Sequence, residues 1–286
     1  MHSHMLEAAG VGPAWLALAA AGVAVVSYFL GCFNGAVVVS RYILRDDIRD
    51  HGSGNAGLNN FYRVFGGPLT AVVIVSDMLK AVLALAFAAF IAGHISPELV
   101  ILSKYWAGTF CIIGHMYPCT FQFRGGKGVL SGGAIVLMLG FATQGGIYQS
   151  WWIPLVAWGG FIILAASTRY VSLGSCWAGA SFIVVSWLVY RDPLVLLLAG
   201  VMGGLLLWKH RGNMVRVVKG TESKFVLHGG RQSRAAQEAA AKEPAAEAAP
   251  ASQGEPAGSE ESAGGEAAPS AEPQESEESD NPEEEA

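Results

Sequence analysis

Long apolar runs separated by short polar, glycine-bearing segments occupy the first 208 positions of the chain. Seven of these runs, 14–40, 68–92, 99–118, 129–146, 151–168, 172–190 and 193–208, can cross roughly 30 Å of hydrocarbon as helices. The predicted fold is therefore an all-α integral membrane protein with seven transmembrane helices. No Lys or Arg precedes Arg41, so the N-terminus lacks the charged start of a removable signal and the first span is expected to stay.

The polar segments set the orientation. Arg41, Arg45, Arg49 and Arg63 follow the first span, Arg124 and Lys127 the third, Arg169 the fifth, and Lys209, Arg211, Arg216, Lys219 and Lys224 the seventh. The opposite loops contribute only Arg191, so the positive-inside rule places the C-terminus and the odd-numbered loops in the cytoplasm and the N-terminus outside the cell membrane. Tyr148, Trp151 and Trp152 at one edge and Tyr170 and Trp208 at the other suit the aromatic belts of the two interfaces.

Composition agrees, with 52% hydrophobic and 14% charged residues over 286 positions. It also divides the chain into a membrane domain, 1–230, and a tail, 231–286, rich in Ala, Glu, Pro and Ser, which is expected to be disordered. From about 235 onward the tail carries 15 acidic residues against one cation, Lys242, a net of −14; the chain before that point has 17 cations and 8 anions, a net of +9. The overall −5 thus conceals a basic body, suited to anionic lipid headgroups and phosphorylated substrates. The sequence assigns the tail no protein partner. Cys32, Cys111, Cys119 and Cys176 have no metal-ligand spacing and read as small buried apolar residues, so neither disulfide nor metal is expected.

Three polar stretches share the basic face. The first, "HGSGNAGLNNFYR" (51–63), matches G-x-G-x-x-G at Gly52, Gly54 and Gly57, with Asp77 twenty residues on. A dinucleotide fingerprint needs a strand before it and a helix after it, and two membrane helices flank this one. Its glycines still let backbone amides approach a ligand. The second, "GHMYPCTFQFRGGKGVLSGG" (114–133), sets Gly125, Gly126, Lys127 and Gly128 directly before a helix. Unpaired amides, the positive dipole end and an ammonium would there converge on one anion. It is not a Walker loop: Phe121 stands where the first glycine belongs, and no Ser or Thr follows Lys127. The third is "HRGNMVRVVKGTESKF" (210–225). Each stretch alone reads as an ordinary loop or cationic collar. Together they collect Arg63, Lys127, Arg211 and Arg216, with Ser53, Asn55, Asn59 and Asn213 to orient hydroxyls, a set suited to more than one phosphate. Asp77 and Lys80, one turn apart in the second span, should face the bundle, either paired with each other or touching substrate.

In order and spacing the three stretches resemble the cytoplasmic motifs of the bacterial acyl-phosphate:glycerol-3-phosphate acyltransferases. "SYFLGCFNGAVVVSR", "SDMLKA" and "TRYVSLGS" are similar to the patterns flanking them, so that the likeness runs from Ser27 to Phe225. The resemblance implies an enzyme of phospholipid biosynthesis that moves a fatty acyl group from acyl phosphate to glycerol 3-phosphate at the cytoplasmic leaflet, giving lysophosphatidic acid and phosphate. It implies no cofactor and no nucleic-acid partner. By motif position it places Ser53 and Arg63 in the first set, Lys127 with its glycines in the second, and His210, Asn213 and Glu222 in the third, with Ser172 and Ser175 in the extra stretch. One departure is Gly57-Leu58-Asn59-Asn60 where the family usually has Gly-Ala-Thr-Asn; an amide can replace the hydroxyl's hydrogen bonds.

No histidine has an aspartate five positions on, and no G-x-S-x-G elbow occurs, so direct attack of the acceptor hydroxyl on acyl phosphate is the expected route. Lys127, its amides and Arg63 would clamp phosphate, Ser53 and Asn213 would orient the acceptor, and either His210 or the donor's phosphate would take the proton. The rival readings are a transporter of a phosphorylated solute, which would be expected to carry polar residues through the midplane, and a membrane scaffold recruiting partners through its tail.

Overall fold

The computed structural model describes residues 12–140 and 149–225, and all their regular structure is helical. The end of the fourth predicted span, Tyr148 and the predicted tail 231–286 lie outside the described residues. The α-helices are α1 Pro13–Cys32, α2 Gly35–Val38, α3 Leu58–Val64, α4 Leu69–Ile95, α5 Leu99–Met116, α6 Val129–Gly140, α7 Trp152–Thr168, α8 Val171–Tyr190 and α9 Pro193–Val218. By length and composition, α1, α4, α5, α8 and α9 can each cross a membrane; α6 and α7 are shorter apolar helices.

Size sorting on the helices inverts that of a soluble protein. On α4, Ala81, Ala84 and Ala88 are buried, whereas Val75, Leu79 and Phe90 are exposed; on α7, Ala157 is buried and Ile163 is 67% exposed. Large apolar side chains outward and small ones inward suit lipid outside and tight helix contact inside. The α1–α5 crossing shows why. A Cβ at Gly31 would lie 2.2 Å from the Cys111 carbonyl oxygen, and one at Gly114 would lie 2.1 Å from that of Tyr28, so both backbones touch only because neither position carries a side chain. Helix α5 is central, packing on α1, α4, α6 and α9, with Tyr105, Ile112 and Met116 in the core. The turn into α9 is set locally: Asp192 Oδ1 accepts from the Leu194 and Val195 amides, and Pro193 occupies the first turn.

Three expectations need correction. The first run, 14–40, is not one helix: α1 ends at Cys32, Phe33 and Asn34 are extended, and α2 continues into a π turn, Val39–Ile43. The break is stable inside the protein because its backbone groups find partners. The Phe33 carbonyl accepts from Lys80 Nζ (2.6 Å), the Gly35 amide donates to Asp77 Oδ1 (3.2 Å), and Asn34 Oδ1 accepts from the Val37 amide (3.1 Å). The last run does not stop at 208; α9 continues to Val218, so His210, Arg211, Asn213 and Arg216 stand on a rigid helix rather than a loop. Of the cysteines, Cys32 and Cys111 are buried, but Cys119 is exposed because it lies in the 3₁₀ turn leaving α5.

Candidate active site

The first polar stretch is a clasped loop. Gly52 and Gly54 adopt φ of +57° and +67°, which glycine reaches at little cost, and α3 starts at Leu58. The clasp is Asn60, 2% exposed. Its Oδ1 accepts from the Ser53 amide (3.0 Å), and the two protons on its Nδ2 are shared among the carbonyls of Ile48 (3.2 Å), His51 (3.0 Å) and Asn55 (3.2 Å). Ser53 is thereby held exposed at the cavity wall.

Arg49 joins this loop to the second stretch. Its guanidinium pairs with Asp47 (Nη2–Oδ2 2.7 Å) and donates to the Phe121 carbonyl (2.9 Å). The hydrogen bonds from Arg49 hold the Asp47 carboxyl below its ordinary range despite partial burial. Beyond Phe121 the chain returns to α5, where the Gly126 amide donates to the His115 carbonyl (3.2 Å), and Gly128, at φ +77°, leads into α6. Lys127 is left at the cavity in front of the α6 N-terminus.

The third stretch reaches both others. Lys127 Nζ donates to Asn213 Oδ1 on α9, and Asn213 Nδ2 donates to Glu222 Oε1. Arg216 Nε donates to the second Glu222 oxygen (2.9 Å). After α9 the chain turns back at Gly220, φ +71°. Ser223 then accepts from Arg63, Phe225 stacks on Tyr62 (centroids 6.0 Å apart), and the Phe225 amide donates to the Arg169 carbonyl (2.8 Å). Burial alone would raise the Glu222 carboxyl, but hydrogen bonds from Asn213 and Arg216 outweigh it and hold the group below the usual glutamate value. The nearby Ser172 hydroxyl adds to that effect, although no hydrogen bond of normal geometry joins it to Glu222.

One cavity of about 1310 Å³ results. Ser53, Arg63, Lys127, His210 and Asn213 line it together, as do Gly52, Gly54, Asn55, Gly57, Asn59, Gly128, Ser172, Ser175, Arg211 and Glu222. Gly125 and Gly126 pack behind it against His115 and Pro118. Arg211 lies at the rim, its guanidinium 4.1 Å from the centre of the Trp208 ring and donating to the Trp208 carbonyl. His210 is 3% exposed and its Nδ1 is 2.8 Å from the Leu206 carbonyl, so Nδ1 carries the proton and a neutral ring keeps its lone pair on Nε2. Asn213 joins Lys127 to Glu222 through the two ends of its amide, each of which keeps one further hydrogen-bonding site. Beside the polar cavity, a smaller apolar one of about 60 Å³ between α6, α7, α8 and α9 shares Val129, Trp158, Phe161 and Ser175 with it.

Sequence reasoning missed Asn60 and Arg49 as site-building residues, and Tyr62 and Phe225 as a cavity edge. Asn60 was visible only as the asparagine that agrees with the family pattern beside the departures at Leu58 and Asn59, and Arg49 only as one charge among several on the basic face.

Burial pushes the Lys127 ammonium below the ordinary lysine value; Glu222 opposes the shift, and Arg216 and Arg63 reinforce it. The proton therefore leaves Lys127 in the folded chain at lower pH than from an unfolded one. For phosphate release, kcat/KM, which reports free enzyme, is expected to fall on a basic limb below pH 10.5. A pH–rate profile checks this, and a limb at or above the ordinary lysine value would contradict it.

A family model described as glycerol-3-phosphate acyltransferase matches residues 21–220. Curated proteins named glycerol-3-phosphate acyltransferase are similar: that of Geobacillus kaustophilus is 34% identical over 200 residues, covering 70% of this chain and 92% of that protein. The one from Synechococcus elongatus is 32% identical over 210 residues, covering 72% and 95%. The chain is also similar to a crystal structure of PlsY (YgiH), an integral membrane glycerol 3-phosphate acyltransferase, in its glycerol 3-phosphate form. There the TM-score is 0.61 at 28% identity, over 72% of this chain and 96% of that one. For the lysophosphatidic acid form the TM-score is 0.59 at 27% identity, over 73% and 97%.

Proposed function

Because the chain belongs to the glycerol-3-phosphate acyltransferase family, we propose that its cavity transfers a fatty acyl group from acyl phosphate to glycerol 3-phosphate in membrane phospholipid synthesis. The observation that carries the donor class is the pairing of two walls. Lys127, Arg63 and the α6 N-terminus form a cationic wall, and Val129, Trp158 and Phe161 lead from it into an apolar pocket. An acyl phosphate has that same division, an anion joined to a hydrocarbon chain. The five long apolar helices cross the bilayer with the shorter α6 and α7 packed among them, and the distribution of Lys and Arg supports a cationic wall that faces the cytoplasm.

The glycerol hydroxyl attacks the acyl carbonyl carbon; a carbon–oxygen ester bond forms as the bond from that carbon to the phosphate oxygen breaks. The electron pair leaves with phosphate. Lys127, neighbouring amides and Arg63 neutralise the departing anion, and the main contribution of the site is to hold two anions in reach of each other. Ser53 orients the acceptor, and Glu222 acts through Asn213 to hold Lys127. The hydroxyl proton passes to the phosphate itself or to His210 Nε2. A His210→Gln variant separates the two: unchanged turnover across pH assigns the proton to phosphate, and a lost acidic limb assigns it to the imidazole.

The purified protein in lipid or detergent, given acyl phosphate, is expected to release phosphate only when glycerol 3-phosphate is added, with lysophosphatidic acid appearing in equal amount. Phosphate release independent of the acceptor, or none at all, would overturn the reading.

A further inference from the structure

Behind the phosphate-facing loop, at the floor of the same cavity, which Asp77 and His115 help to line, lies a buried charged cluster to which the proposed reaction gives no role. Asp77 and Lys80 on α4 and His115 on α5 are 1%, 3% and 3% exposed. Lys80 Nζ donates to Asp77 Oδ1 (2.7 Å) and to the Phe33 carbonyl at the break after α1 (2.6 Å), and it lies 2.7 Å from His115 Nδ1. An ammonium has three protons and no lone pair, so Nδ1 must be the acceptor and the neutral ring carries its proton on Nε2. All three Lys80 protons are then committed. Asp77 is fixed in turn by the Gly35 amide at Oδ1 (3.2 Å) and, through its carbonyl, by Ser131 Oγ of α6 (3.0 Å).

His115 meets the loop with both backbone and ring. Its carbonyl accepts from the Gly126 amide, and its Nε2 lies 2.4 Å from where a Cβ on Gly126 would stand. The imidazole thus abuts the residue before Lys127. As a stabilising device the cluster is a poor choice, since a buried ion pair is often no better than apolar residues of equal volume, and charges are costly at membrane depth. Its value lies in direction: an ion pair can set one tautomer and one ring plane.

We infer that Asp77, Lys80 and His115 form a positioning unit for the Gly125–Gly128 loop. The ion pair locks the imidazole, and the imidazole sets Gly126 and with it Lys127. The inference rests on the proposal that this cavity holds a substrate phosphate.

Two His115 variants test it. His115→Gln reaches the Nε2 position with an amide N–H, whereas His115→Asn stops near Nδ1, still satisfying Lys80 but leaving Gly126 without its side-chain contact, the backbone bond being kept in both. Both are purified with the parent, and thermal midpoint, kcat/KM and the rise in midpoint caused by glycerol 3-phosphate are measured. His115→Asn is expected to keep the parent's midpoint yet lose about 10- to 100-fold in kcat/KM, the range for partners that orient a functional group from behind. His115→Gln should keep at least about a third of the parent value. A His115→Asn value within twofold of the parent, or equal losses in both variants, overturns the inference, because a simple helix staple would need only the Lys80 partner. Asp77→Asn/Lys80→Met removes both charges together; it should fold and lose about 10-fold. Parent activity in that variant, or failure to fold, overturns the part assigned to the ion pair. Should the parent itself lack acyl transfer, the proposed reaction fails, and the midpoint rise still decides: its loss in His115→Asn and retention in His115→Gln support the positioning unit, and any other pattern overturns it.

Discussion

Replacing Lys127 with alanine is expected to lower kcat/KM by about 10²- to 10³-fold, the usual cost of removing one preorganised donor aimed at developing charge. The magnitude follows from where the ammonium sits. It stands in front of the α6 N-terminus, half-buried, and is aimed by Asn213, which is held by Glu222, itself paired with Arg216. Nothing in that chain needs to reorganise as the phosphate leaves. Arg63 and the loop amides remain, so the loss should be partial, and kcat should fall along with kcat/KM because the ammonium matters most when charge accumulates on the leaving group. Lys127→Arg should recover little, since a planar guanidinium directs its protons differently from an ammonium and does not place one on Asn213 Oδ1 in the same way. Acceptor-dependent phosphate release measures both variants. An alanine variant within about fivefold of the parent would show that Lys127 is not the principal clamp, because loss of one such donor costs at least 10².

Asn60→Asp should be the most damaging isosteric change in the first stretch. Its Nδ2 donates to three carbonyl oxygens at 3.0–3.2 Å, inside a pocket where the side chain is almost fully buried. An aspartate at the same place turns a donor into an acceptor facing three other acceptors. Each unsatisfied buried group costs about 1–3 kcal/mol, so several kcal/mol are at stake. At about 2–4 °C per kcal/mol for a chain of this size, the thermal midpoint should fall by on the order of 10 °C. Asn60→Ala should be milder, because it removes the clasp without adding a charge. Both should lower activity: alanine takes away the acceptor of the Ser53 amide, whereas aspartate keeps Oδ1 but repels the three carbonyls that fix the loop, and either way the serine loses its place at the wall. If aspartate proved as stable as alanine, the clasp would not be the element that sets this loop.

Hydropathy and charge made much of the architecture legible. A run of apolar residues reports its average environment, and that average is enough to locate α1 and α4 through α9 to within a few residues at most ends. It cannot report a break such as the one at Phe33 and Asn34, because those two residues differ little in hydropathy from a helix interior carrying one asparagine. The break exists because Lys80 and Asp77, more than forty positions away, supply partners for its backbone. The overrun of α9 to Val218 has the opposite cause: polar residues after 208 ended the apolar signal while the helix continued along the cavity.

The sequence by itself determined the membrane class, the basic face, the three polar stretches and, through their motifs, the family. Composition and local spacing suffice for these because each depends on residue types within one segment. Only the tertiary structure decided which polar residues face a ligand and which hold the others in place. Lys127 and Asn213 are 86 positions apart, and Arg63 and Ser223 are 160 apart. No local pattern encodes such a meeting, because it is the packing of α5, α6, α8 and α9 that brings donor and acceptor within bonding distance.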